Sequence, residues 1–246
     1  MLRYEMWPLC IPQVLSVDLI NTHASEELHI YSVTPLGAAL NQFHVSALAT
    51  SPAPLLPGGR LPLSVAYLPS KPGVVNGTLL VQTSHGGLLY EMTALGMANI
   101  YGVSAMNSIV PLGATFRPML EVYNPHAAPL IIKEIFTSEG FLHLELPQVY
   151  LPDGKTLMTP EQMWRLKAQE RRMVVSLNFN PSALGRYIGY LHVVTDFDTL
   201  IIPVDLTVVP AAIELTPSVI DFGTLTSPEE QVSRTLRIRS SLSPHV

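Results

Sequence analysis

The sequence predicts an all-β chain built as tandem immunoglobulin-like β-sandwiches. Three features predict it: self-similarity with a period of 112 residues, alternation of apolar and polar residues within each copy, and Pro, Gly and Asn between the alternating runs. Shifting the chain by 112 residues aligns 69–92 with 181–204 without a gap, and eight of the 24 positions are identical. The identities are Pro69/Pro181, Ser70/Ser182, Gly73/Gly185, Gly77/Gly189, Leu79/Leu191, Val81/Val193, Thr83/Thr195 and Leu88/Leu200. Most are turn residues or every second apolar residue, the positions that shape a strand–turn–strand unit.

Taken in order, the first copy begins with the alternation of Val17 and Leu19, which runs into Asn21-Thr22-His23. No strand is expected before Val14, so this copy reads as lacking its opening strand. Apolar runs at 28–33 and 43–47 follow, then Leu63, Val65 and Tyr67 ahead of Pro69, then the repeated block. In the second copy, Leu120 and Val122 lead to Asn124-Pro125-His126. Runs at 130–136 and 142–146 come next, then Val175, Leu177 and Phe179 ahead of Pro181. About seven strands in the second copy, with Pro, Gly and Asn turns between them, is the immunoglobulin-like pattern. The boundaries follow as 1–98 for the first sandwich, 99–210 for the second, and 211–246 for the opening strands of a truncated third module. Both ends read as cut, which suggests a piece of a longer array. One segment resists the pattern: Thr159-Pro160-Glu161-Gln162 has the form of a helix capping box, and helix formers fill 163–172. The repeat sets 167–172 against the turn at 55–60, so at most a short helical turn is expected near Pro160.

Composition narrows the function. With 14 Lys and Arg against 19 Asp and Glu, the net charge is −5, and there is no basic field to hold a phosphate backbone. Nucleic acid is not an expected partner. Cys10 is the only cysteine, so neither an intrachain disulfide nor a cysteine zinc cluster is possible. The first twelve residues contain no signal-like apolar stretch. The most apolar run, 200–215, is interrupted by Pro203, Asp205, Pro210 and Glu214, too often for a bilayer span. No hydrolase, zincin, dinucleotide or EF-hand motif occurs. Gly154-Lys155-Thr156 lacks the glycine of a phosphate loop, since Val149 stands there, and reads as a Pro-Asp-Gly turn. His143 and Glu145 share one strand face, either solvated or as a binding pair. Arg165, Lys167, Arg171 and Arg172 form a solvated loop or a handle for an acidic segment. Arg237 and Arg239 read as the outer face of an amphipathic strand opposite Leu236 and Ile238. No catalytic, cofactor-binding or metal residue is assigned, and no partner-binding residue. Asn76-Gly77-Thr78 is the single N-glycosylation sequon, with Asn76 pointing away from the Leu79 and Val81 face.

From Asn124-Pro125-His126-Ala127-Ala128-Pro129-Leu130 through Phe141-Leu142-His143-Leu144-Glu145-Leu146-Pro147, the chain resembles the transmembrane protein 131 family, including its 131-like branch. The likeness extends through Leu56-Pro57-Gly58-Gly59, Gly73, Tyr90, Gly96, Tyr101 and Pro111-Leu112-Gly113. Downstream it takes in Trp164, Phe179, Ile202-Pro203-Val204 and Phe222-Gly223-Thr224-Leu225. The resemblance implies PapD-like immunoglobulin modules on the lumenal side of the endoplasmic reticulum membrane, ahead of a membrane helix carried by the parent protein. It implies engagement of procollagen-like secretory clients and their transport towards the Golgi, or Wnt signalling as in the 131-like branch. No cofactor is implied. Lys167-Ala168 departs from the proline pair the family tends to carry. Similar sandwich repeats in centrosomal and ciliary scaffolds keep a cytosolic scaffold as the alternative, and an enzyme's accessory domain as a third reading.

Overall fold

The computed structural model describes residues 2–37, 41–46, 54–150, 155–210, 213–216, 219–222 and 233–240. The first sandwich comprises β1 (Leu2–Pro8), β2 (Gln13–Ile20), β3 (Ile30–Leu36), β4 (Phe43–Val45), β5 (Arg60–Tyr67), β6 (Gly73–Thr83) and β7 (Gly86–Met97). These form two sheets, ordered β1-β7-β6-β3 and β2-β5-β4. The second comprises β8 (Met106–Pro111), β9 (Met119–Tyr123), β10 (Leu130–Thr137), β11 (His143–Glu145), the short helix α1 (Pro160–Met163), β12 (Arg165–Leu166), β13 (Arg171–Asn178), β14 (Gly185–Thr195) and β15 (Thr199–Val209). Its sheets run β12-β10-β14-β15-β8 and β11-β13-β9. In both units the opening strand lies parallel to the closing one, β1 on β7 and β8 on β15, while the other pairs are antiparallel. This is an immunoglobulin-like plan used twice. Beyond it, β16 (Ile213–Thr216) pairs antiparallel with β17 (Arg237–Ser240). Ile238 of β17 is itself exposed, so that strand does not bury the face opposite Arg237. The Pro152-Asp153-Gly154 turn lies outside the described residues.

The repeat is met residue for residue in β6 and β14, whose ends stand 112 positions apart. Leu79, Val81, Leu191 and Val193 are buried from them. The glycine these strands share has a packing reason: a Cβ at Gly77 would stand 3.1 Å from the Phe43 ring, and one at Gly189 would stand 3.3 Å from that of Phe141. The Asn turns are equally matched. Asn21 and Asn124 are buried, and their Oδ1 atoms accept from the N–H groups of His23 and His126. Their Nδ2 groups reach across the sandwich end, from Asn21 to the oxygens of Glu26 and Leu55, and from Asn124 to those of Ala128, Leu166 and Lys167. Gly58 N–H donates to the Asn21 oxygen as Gln169 N–H donates to that of Asn124. Both donors are left-handed, with φ of 72° and 60°.

Two expectations meet the structure differently. The segment before Val14, expected to carry no strand, forms β1, with Tyr4 buried between exposed Arg3 and Glu5 and its hydroxyl donating to the Val65 oxygen at 2.7 Å. Its alternation is obscured because the register against β7 slips between Arg3 and Met6. Near Pro160, by contrast, helix formation stops after one turn. The Thr159 box is present, with Gln162 N–H on the Thr159 hydroxyl, but Leu166 is already drawn onto β10 opposite Leu130. Pairing of β12 overrides the helix propensity of the residues that follow.

Candidate interaction surface at the joint between the sandwiches

The connector between the sandwiches is pinned by hydrogen bonds at each step. The Asn99 amide donates to the Leu9 oxygen, and its Oδ1 accepts from Tyr101 N–H at 2.7 Å. The Tyr101 oxygen accepts from Tyr123 N–H at 2.8 Å. The Tyr101 ring is fully buried, its hydroxyl donates to Asp198, and His126 Nε2 lies 3.0 Å from the same oxygen. Burial first, and the Asp198 carboxylate second, push the Tyr101 hydroxyl well above its ordinary pKa, so it serves as a fixed donor. Leu9 and Cys10 from the first sandwich and Tyr101 and Val103 from the connector join the apolar core of the second. The core of the second sandwich therefore reaches into the β1–β2 turn of the first, while the first keeps a separate core around Phe43, Tyr67 and Met92. Burial raises the Cys10 thiol to about 12, leaving it protonated and unreactive.

Beside this joint the sandwiches leave a cleft of about 1080 Å³. One wall is the start of β6, with Val74 and Asn76; the other is the outer face of β8, β14 and β15, with Ile109 and Ile188. Val74, Ile109 and Ile188 are all exposed apolar side chains. Arg186 grips Asp205 through two hydrogen bonds, of 2.8 and 2.5 Å, and this partner holds the Asp205 carboxyl below its usual range. Apolar patches between fixed polar groups suit a polypeptide ligand.

Asn76 lies exposed on the cleft wall, as its strand parity predicts. Its Oδ1 accepts from the Thr93 hydroxyl at 3.1 Å, while its Nδ2, the atom a glycan would occupy, donates to nothing among the described residues. His143 and Glu145 do not meet as a pair: both are exposed, and Glu145 accepts from Asn178 at 2.6 Å instead. The basic cluster is partly absorbed by the fold. Arg172 donates to the Gln162 oxygen and to Glu170, and Arg171 reaches Glu121 while lying over the Tyr123 ring. Arg165 and Lys167 remain exposed. Among the described residues there is no group of three His, Cys, Asp or Glu placed to hold a metal, and no helix long and apolar enough to cross a membrane. The cleft itself escapes sequence reading, because nothing in the sequence places the start of β6 opposite β8, β14 and β15.

Comparison with known proteins separates the two sandwiches as the coordinates do. The family profile described as transmembrane protein 131-like N-terminal matches residues 1–83, and that of the transmembrane protein 131 second Ig-like domain matches residues 101–194. The chain belongs to the transmembrane protein 131 family. It is 29% identical over 232 residues to Transmembrane protein 131 of Mus musculus, covering 92% of this chain and 12% of that protein. It is 28% identical over 235 residues to the Transmembrane protein 131 homolog of Drosophila melanogaster, covering 93% and 14% respectively. The chain thus spans a small part of these transmembrane protein 131 relatives. Among solved structures, tandem immunoglobulin domains of titin overlay 85% of this chain and 93% of that one, at 12% identity and a TM-score of 0.25.

Proposed function

We propose that this chain is a non-enzymatic, lumenal protein-binding region of a transmembrane protein 131 family member. In this reading it engages secretory clients of procollagen-like character and promotes their passage from the endoplasmic reticulum to the Golgi. The observation that carries it is the joint: Leu9 and Cys10 of the first sandwich are packed into the core of the second, and the wide cleft beside them exposes Val74, Ile109 and Ile188. A packed joint lowers the entropy cost of presenting such a surface to an extended chain. The accessible Asn76 sequon on the cleft rim supports the lumenal side, and a glycan there would border any bound client.

The parent protein expressed in cells tests both halves. In a lumenal protein, endoglycosidase treatment shifts the wild type by one glycan more than Asn76→Gln, and purified procollagen chains bind the region with an affinity that Ile109→Asp weakens. An unglycosylated Asn76 together with no procollagen binding refutes the reading and favours the cytosolic scaffold.

A further inference from the structure

The Asn76 acceptor sits within a strand rather than on a loop. On β6 it stands opposite Thr93 of β7, whose hydroxyl holds its Oδ1 at 3.1 Å. The next residue, Gly77, lies so close over the core that a Cβ there would stand 3.1 Å from the Phe43 ring and 3.2 Å from Met92. The strand is thus held from beneath and alongside, and the amide is turned so that Nδ2 is the free atom. A glycan is joined there when Nδ2 displaces the diphosphate of a lipid-linked sugar donor at C1 and gives up one proton. Because Asn76 lines the cleft, the sugars leave a held strand directly into it.

Across the cleft, strand pairing sets side chains of the second sandwich in rows. Tyr190 stands opposite Pro203, and the next row runs Ile188, Asp205, Asn107 over β14, β15 and β8. All five line the cleft. The Tyr190 ring is steadied from the first sandwich by His44, with ring centroids 6.0 Å apart. Neither the Tyr190 hydroxyl nor the Asn107 side chain has a hydrogen-bond partner among the described residues. A pyranose carries apolar C–H faces edged by hydroxyls, and an N-acetyl group sets a methyl beside an amide. Apolar side chains interleaved with a phenol, a carboxylate and an amide match that mosaic in both donors and acceptors. The cleft of about 1080 Å³ exceeds the ~300–1,000 Å³ of common small-ligand pockets and so has room for two sugar rings.

We propose that the first two sugars of a glycan on Asn76, an N-acetylglucosamine pair, cross the cleft and pack on the floor formed by Tyr190, Pro203 and Ile188, with Asn107 and Asp205 bonded to their polar groups. The sugars then tie β6 of the first sandwich to β14 and β15 of the second. The occupant is argued from its tether: the acceptor stands on one wall, and the side chains suited to a sugar stand on the other. The proposal rests on the lumenal half of the reading above, since only a lumenal chain acquires this glycan. It also narrows the client surface, leaving Ile109, two residues beyond Asn107 on β8, for the polypeptide.

The test uses the 246-residue chain secreted from animal cells behind a cleavable leader, with its glycan intact and carbon-13 labelled. Nuclear Overhauser effects are read between the sugar N-acetyl methyls and protein side chains, together with the rate at which peptide N-glycosidase releases the glycan from the native chain. The expected result is contact from the N-acetyl methyls to Ile188 and Tyr190. The double variant Ile188→Ser, Asn107→Ala, changed at two exposed positions, should lose these contacts and release its glycan at least tenfold faster, while its His44 and Tyr190 rings stay in contact as a check on the fold. A glycan on Asn76 with no contact to the second sandwich in the unmodified chain overturns the docking and leaves the lumenal reading intact. Contacts that persist in the double variant overturn this floor as the seat. A chain that carries no glycan at Asn76 removes the lumenal reading itself, and the docking with it.

Discussion

Asn124 is the residue whose loss should cost the second sandwich most for its size. It is 0% exposed and ties three chain segments together. Its Nδ2 donates to the oxygens of Ala128 and Lys167 at 2.9 Å each, and its Oδ1 accepts from His126 N–H at 2.9 Å. Asn124→Ala leaves these groups without a partner. A buried unsatisfied group costs about 1–3 kcal/mol, and since the outer ones can recruit water, the sum expected is about 2–4 kcal/mol. With a urea dependence of about 1–3 kcal/mol/M, the midpoint for this sandwich should fall by about 1–2 M. Asn124→Asp separates hydrogen bonding from volume, because it keeps the size and the Oδ1 acceptor but turns an acceptor towards the carbonyl oxygens. It should cost at least as much as Asn124→Ala at neutral pH. The buried carboxyl would have a raised pKa, so its penalty should shrink as pH falls through that value and the protonated acid becomes a donor again. Urea denaturation followed by circular dichroism measures all three chains. A midpoint for Asn124→Ala within about 0.2 M of wild type, or an aspartate variant more stable than the alanine one at pH 7, would refute the argument.

Gln169 holds a left-handed φ of 60° while its side chain bonds Tyr123 and the Pro125 oxygen. Gln169→Ala and Gln169→Gly lose the same bonds, but only glycine relieves the backbone, so the glycine variant should be more stable by about 1 kcal/mol, and equal stability counts against the turn geometry. Cys10, with its thiol raised to about 12, should resist a thiol reagent at pH 8 in the native chain and react on unfolding; rapid native reaction would mean that the joint opens readily. Asp205 is held below its ordinary carboxyl range by Arg186. The stability this contributes is present above the unfolded-chain pKa and lost as pH falls through the lower folded value. The urea midpoints of wild type and Asp205→Asn should therefore differ at pH 7 and converge in acid, and a gap independent of pH would contradict the pairing.

What could be read from the sequence was whatever two copies share. The β6 and β14 hairpins, the glycine beneath Phe43 or Phe141, and the two Asn turns recur because each solves the same local packing problem twice, and alignment brings them out. The Asn turns are legible as turns, yet their role as clamps is not, since the carbonyls they reach lie up to 43 residues away. β1 was hidden by a register slip that breaks its alternation in seven residues. The cleft was hidden for a deeper reason: it arises where one copy meets the other, and neither copy's pattern records its neighbour. Residues 9–11 likewise belong to the first sandwich but pack into the core of the second. Leu88 and Leu200 carry the same side chain at the same repeat position, one exposed and one buried. Identity of sequence there conceals a difference of neighbour.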